Sequence, residues 1–285
     1  MQYINASSAR EALAALLEAD GSGVIVAGAT DLMVDYKAGK VKSTVWIDVT
    51  RAADLVGITE EDGKLVIGAA TTLTTIARSP LVKKYFPSLA QGCGTVGSLQ
   101  IRNSATLVGN VVSAQPAGDG AMSLAPLDPT FTVLSADGER QLSMGEMYAG
   151  FARSTIDHSR ELVTKISIPL PKPGEAAAFV RLELRKSLSL PMLNCAAMVH
   201  VEGGKVTWAR ITMAPVGVGP VRATAAEEYL AGQELTDEVL ARAGELALEN
   251  ANPRSNPLRG SREYRLETLP VIVRRALEAC RAQLN

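Results

Sequence analysis

Gln100-Ile101-Arg102-Asn103-Ser104-Ala105-Thr106-Leu107-Val108-Gly109-Asn110-Val111-Val112-Ser113-Ala114-Gln115-Pro116-Ala117-Gly118-Asp119 is the stretch that decides how this chain folds. It lies almost wholly within Asn103 to Ala136, a segment with only two charged residues in 34, Asp119 and Asp128. A disordered linker is normally more polar or more charged than this. The segment therefore reads as buried, close-packed loop with short regular elements. Thr106 to Asn110 places small residues and a hydroxyl in a tight turn. Such turns present consecutive backbone N–H groups, which hold a phosphate without any basic side chain. An ordinary turn is the plainer reading, since glycine turns are common. Asp119, a lone carboxylate in this surrounding, needs a partner to be buried. A helix N-terminus and a ligand hydroxyl are its two options.

A second turn of the same kind lies upstream. Val24-Ile25-Val26-Ala27 is a short apolar run suited to a buried strand, and Gly28-Ala29-Thr30-Asp31-Leu32 follows it directly. A diphosphate flanked by two such turns is a consistent picture. No GxGxxG fingerprint and no GxxxxGK[ST] loop occurs, so a Rossmann or P-loop nucleotide site is not supported.

Composition narrows the rest. The chain has 285 residues, a formal net charge of -1 and 4% aromatic residues. It has neither the basic footprint nor the stacking surface of a nucleic-acid binder. Cys93, Cys195 and Cys280 are far apart, with no CxxC spacing for zinc or an iron–sulfur cluster and no even count for a disulfide framework. Neither a signal peptide nor a membrane span is expected, and the reading is a cytoplasmic protein. His158 and His200 stand alone, so no Ser/His/Asp or Cys/His constellation can be assembled.

Periodicity gives the elements. Ser8-Ala9-Arg10-Glu11 reads as a capping box opening a helix whose apolar face is Leu13, Leu16 and Leu17. Strands are expected at Val45–Val49, at Leu55–Ile58 and Leu65–Ile67 around Glu60-Glu61-Asp62-Gly63, and at Leu162–Ile168. Pro169-Leu170-Pro171-Lys172-Pro173-Gly174 is the best boundary. Beyond it, three strands (Ala177–Leu184, Ala196–Glu202, Val206–Ala214) precede three helices (Ala223–Ala231, Asp237–Asn250 and about Glu263–Ala282). The class is α+β. The expected domains are 1–172 and 177–285.

With these residues in view, Gln100 to Asp119 resembles the second FAD-binding motif of the molybdenum hydroxylase flavoproteins, approximately QIRNxATxGGNxxxASPxxD. Ala27 to Leu32 resembles their first motif, AGGTDL. Arg185-Lys186 with Asn194-Cys195-Ala196-Ala197, Ser261 to Arg265 and Val273 to Leu277 resemble their C-terminal domain, so the likeness spans the chain. The resemblance implies a vanillyl-alcohol-oxidase (PCMH-type) FAD-binding fold of two α+β subdomains, about 1–54 and 55–172. A C-terminal domain with a three-stranded antiparallel sheet and a helix bundle follows. Carried over, Ala27, Gly28, Ala29, Thr30, Asp31 and Leu32 with Thr106, Val108, Gly109 and Asn110 wrap the diphosphate. Val112 and Ser113 continue that wall, and Asp119 bonds the ribose or the adenosine end. Val163 touches a ring, and Arg181 takes the place of a flavin-contacting lysine.

The implied role is the FAD-carrying subunit of a xanthine dehydrogenase-like complex. A molybdopterin-binding large subunit and a small subunit with two [2Fe–2S] clusters would pass electrons through FAD to NAD+ or another acceptor. No acid–base residue is then required here. Two other readings stay open: a self-sufficient FAD oxidoreductase, and a scaffold subunit that has lost FAD. The family's paired glycines are Gly28-Ala29 and Val108-Gly109 here. Ala29 is read as a small change. Val108 is read as an obstacle to positive φ and to close approach, so that Val108→Gly should tighten FAD binding.

Overall fold

The computed structural model describes residues 1–284. Its first unit is a small parallel sheet with two helices. β1 (Gln2–Asn5), α1 (Ala9–Glu18), β2 (Gly23–Val26), α2 (Leu32–Lys37) and β3 (Val45–Asp48) follow in order, and the strands lie β1-β3-β2. The N-terminal cap of α1 forms as its sequence suggests, with one shift. Ser8 Oγ accepts from the Glu11 N–H at 3.2 Å, but the Glu11 carboxylate reaches back to the Ser7 N–H, at 2.7 Å. Leu13 and Leu16 are buried, whereas Leu17 stays exposed.

The second unit is built on an antiparallel sheet in the order β4-β5-β10-β6-β7. Its strands are β4 (Ile58–Glu61), β5 (Lys64–Gly68), β6 (Thr130–Ser135), β7 (Gly138–Ser143) and β10 (Leu162–Pro169). Between β5 and β6 run six short helices: α3 (Leu73–Arg78), α4 (Pro80–Tyr85), α5 (Pro87–Thr95), α6 (Leu99–Arg102), α7 (Leu107–Val112) and α8 (Asp119–Leu124). The charge-poor segment folds as short elements, α7, α8 and β6, joined by close-packed links, and every residue of α8 is buried. A two-stranded ribbon, β8 (Tyr148–Gly150) and β9 (Arg153–Ser154), precedes β10. The first hairpin starts later than its apolar pattern suggests. Leu55 does not join β4 but sits fully buried in a 3₁₀ turn, because the core claims its side chain.

The C-terminal unit packs β11 (Glu175–Leu182), β12 (Leu193–Glu202), β13 (Lys205–Ala214) and β14 (Val221–Arg222) against α9 (Thr224–Leu230), α10 (Asp237–Leu246) and α11 (Arg262–Leu284). The expected three-stranded sheet has a fourth strand. β14 is two residues long and pairs Thr212 with Arg222, too short to leave a periodic signature. Cys195 and Cys280 lie in this core and Cys93 in the other; all three thiols are buried and free. Burial pushes each of them up, Cys280 to about 12. No helix among the described residues is long and apolar enough to cross a membrane.

The units meet where α8 packs on β12 and β13. Met122, Phe179, Ala196 and Ala214 form a small apolar cluster there. This junction fixes how the C-terminal unit stands over the other two.

Candidate functional site

Where the three units converge they line an open cleft of about 1430 Å³. Ala27 through Leu32, the expected residues from Thr106 to Asp119, and Val163 all line it. Residues 27–32 are the link from β2 to α2. Residues 106–119 are α7, its flanks and the start of α8. Val163 stands on β10, beside a bulge before Lys165. The apolar side of the cavity includes Val24, Val49, Leu55, Ile156 and Leu162.

The first turn is an open cradle. None of the N–H groups of Gly28, Ala29, Thr30, Asp31 and Leu32 donates to another group of the described chain. Successive unanswered N–H groups around a left-handed residue form an anion nest. The left-handed residue is Ala29, at φ 52°. The strained position is therefore Ala29, which the sequence marks as harmless. An L-residue there costs about 1–2 kcal/mol that glycine avoids. Ala29→Gly should therefore raise the thermal midpoint of the FAD-free chain; an unchanged or lower midpoint would show that the strain is not stored there.

Gly28 serves a different purpose. A Cβ there would lie 2.2 Å from the Ser104 carbonyl oxygen and 2.6 Å from Ala105 Cα. Only a residue without a side chain lets the first turn sit against the chain leading into the second.

The second turn is a helix start. Thr106 caps α7, its Oγ1 accepting from the Gly109 N–H at 3.0 Å. Asn110 Oδ1 accepts from the Ala121 N–H at 2.9 Å, tying α7 to α8, and Ser113 Oγ donates to the Asn110 carbonyl. These polar groups are committed to the chain's own backbone. Val108 is helical, with no positive φ, and 8% exposed within the apolar core. The obstacle read from its β-branch is absent, because a helix N-terminus and a glycine turn share the same small-residue pattern. Val108→Gly should accordingly destabilise the chain by about 2 kcal/mol or more, from lost burial and from glycine inside a helix. Tighter FAD binding by this variant would contradict the placement.

Asp119 and Arg181 differ from expectation. Asp119 lines the cavity edge, but its oxygens face the chain. Asn194 Nδ2 donates to Oδ1 at 2.8 Å, and Arg181 Nε lies 3.1 Å from Oδ2. Arg181, also paired with Glu183 and donating to the Ser189 carbonyl, is buried outside the cavity lining. In the described chain these two side chains form an ion pair between α8 and β11. Burial holds the Asp119 carboxyl above its ordinary range, and Arg181 pulls it back in part.

Asp31 is the unpaired acid of the nest. Burial, then the like charge of Asp35, hold it above the usual carboxylate range. The folded chain thus keeps this proton more tightly than the unfolded chain, and stability falls as pH rises through the raised value. Asp31→Asn should flatten that fall in the FAD-free chain as pH rises above the ordinary carboxylate range. An unaltered pH profile of the thermal midpoint would contradict this.

The fit to a dinucleotide is thus specific: a nest for a diphosphate and an apolar wall for a ring. The comparisons agree. Residues 1–171 match the family model described as the FAD binding domain in molybdopterin dehydrogenase. The chain belongs to that family. Residues 177–280 match the CO dehydrogenase flavoprotein C-terminal domain. The nicotinate dehydrogenase FAD-subunit of Eubacterium barkeri is 33% identical over 76% of this chain and 74% of its own length. The xanthine dehydrogenase FAD-binding subunit of Escherichia coli O157:H7 is 26% identical over 92% and 90%. Among solved structures, a carbon monoxide dehydrogenase from Hydrogenophaga pseudoflava superposes with a TM-score of 0.93 at 27% identity, over 99% of this chain and 98% of that one. This FAD-binding chain is an oxidoreductase subunit with the architecture of the carbon monoxide dehydrogenase flavoprotein.

The cavity has further lining outside the two motifs. Phe151, His158, Arg254, Arg259 and Arg265 line the cavity as well. Arg254 follows Asn252-Pro253 directly, and Arg259 closes the turn that Asn256-Pro257 opens. A cation beside each turn was the available signal.

Proposed function

We propose that this chain holds FAD in the three-unit cleft of a cytoplasmic molybdenum hydroxylase. In that complex it relays electrons from the iron–sulfur clusters of a small partner chain to NAD+ or another acceptor. A large partner chain would carry the molybdopterin. The observation that carries the reading is the run of five unanswered N–H groups from Gly28 to Leu32, set at one side of an apolar cavity. FAD bound there supplies reversible electron uptake and release. The chain's own residues bind and orient. The nest N–H groups take the diphosphate charge, Val163 and its neighbours bury a ring, and the Asp119–Arg181 pair fixes the width between units. The scaffold alternative rested on Val108, and its helical placement removes that reason.

The test uses the full chain, expressed alone and with its native partners. A yellow chain, or one reconstituted with FAD, that co-purifies with molybdenum and iron and is reduced by NADH supports the whole reading. A chain that takes FAD but has no such partner would leave a self-sufficient oxidoreductase. A colourless chain that FAD cannot reconstitute would overturn it.

A further inference from the structure

Arg254, Arg259 and Arg265 all line the cavity, and all three come from the segment 252–265 of the C-terminal unit. Among the described residues none of the three forms an ion pair with a carboxylate. Among the other charges at the cavity, Asp35 pairs with Lys40, Glu161 with Arg140 and Asp119 with Arg181, while Asp31 stands unpaired. Arg265 is 4% exposed, and its Nε and Nη2 donate to the Arg259 carbonyl while Nη1 donates to the Pro215 carbonyl. A guanidinium has five N–H donors, so two remain. A buried cation with neutral partners alone is costly, and a second cation beside it adds to the cost. Burial, then the like charge of Arg259, pull Arg265 below the usual arginine range. Arg254 lies over the Phe151 ring, 5.1 Å from its centroid, so a side chain of the FAD-side domain steadies it at the cleft.

We propose that Arg254, Arg259 and Arg265 form a phosphate-binding wall of this cavity, with a nucleotide phosphate ester as its ligand. Guanidinium groups suit phosphate oxygens because their fork offers paired, charge-assisted hydrogen bonds. The wall is additional to the Gly28–Leu32 nest, since it comes from another unit and uses side chains rather than backbone. The cavity, at about 1430 Å³, also exceeds the ~300–1,000 Å³ of ordinary small-molecule pockets. The phosphate has two possible sources: the diphosphate of FAD itself, or that of a second nucleotide arriving as electron acceptor. The proposal deepens the nucleotide-site reading and rests on it.

The test compares the full wild-type chain with Arg254→Gln/Arg259→Gln. Arg265 is kept, because its donors hold two backbone carbonyls. FAD affinity is measured by quenching of flavin fluorescence at low and high salt, and ADP affinity by calorimetry on the FAD-loaded chain. A loss of about tenfold or more in FAD affinity, with a weaker salt dependence, assigns the wall to the cofactor's diphosphate. Unchanged FAD affinity with loss of ADP binding to the loaded chain assigns it to a second nucleotide. If the double variant matches wild type in both measurements, the proposal is overturned. A wild-type chain that does not bind FAD would instead defeat the underlying reading.

Discussion

Gly28→Ala should abolish tight FAD binding and destabilise the chain. The new Cβ would meet the backbone of Ser104 and Ala105 at 2.2–2.6 Å, and backbone cannot rotate away as a side chain end can. One of the two segments must move, at a cost of about 3 kcal/mol by analogy with overpacked cores. The movement separates the nest from the chain entering α7, so the cavity loses its shape on the diphosphate side. A loss of that size in binding corresponds to about a hundredfold in affinity. Fluorescence titration with FAD and thermal unfolding of the FAD-free chain measure the two parts separately. Wild-type values in both would show that the turns are not packed as described. By contrast, Gly21→Ala, at a glycine of φ 82° with open space around it, should lose stability through backbone strain and leave FAD affinity intact.

Asp119→Ala should cost about 3 kcal/mol of stability, the lower end for breaking a buried ion pair, since Arg181 loses one of its two carboxylate partners. Arg181, 6% exposed in its side chain, would keep only Glu183 as a counter-ion, and Asn194 would lose the acceptor of its amide. The damage falls at the junction of α8 with β11 and β12, so FAD affinity should fall with it through loss of cleft geometry. Replacing the whole charge cluster, as in Asp119→Leu/Arg181→Met/Glu183→Gln, should recover much of the stability, since neutral side chains of similar volume often match a buried ion cluster. If Asp119→Ala leaves stability untouched and weakens only FAD binding, the carboxylate faces the ligand as the sequence resemblance implied.

The contrast between Asp119 and Ala29 shows what a sequence of this kind makes legible. The charge-poor stretch marked Asp119 as a group needing a partner. It did not say whether the partner was ligand or protein, because Arg181 and Asn194 are 62 and 75 residues away, on strands whose register is a tertiary fact. Ala29 and Val108 were ranked by side-chain bulk, but φ decides the strain, and φ depends on whether a turn or a helix follows. The polar edge strand β7, Gly138 to Ser143, carries no alternating apolar pattern, so periodicity could not find it. β12 and β13, long and largely buried, were legible within a few residues at their starts. Arg254 and Arg259 were invisible as site residues because their loop becomes a wall only after α11 packs on β11 and β12.

The most direct measurement is a titration of the purified full chain with FAD, followed by flavin fluorescence and the visible spectrum, beside Gly28→Ala. Saturation near one FAD per chain in wild type, and its loss in the variant, is the result predicted by a cofactor seated on the Gly28–Leu32 nest. Saturable FAD binding of equal strength in both proteins would place the cofactor elsewhere and contradict the account.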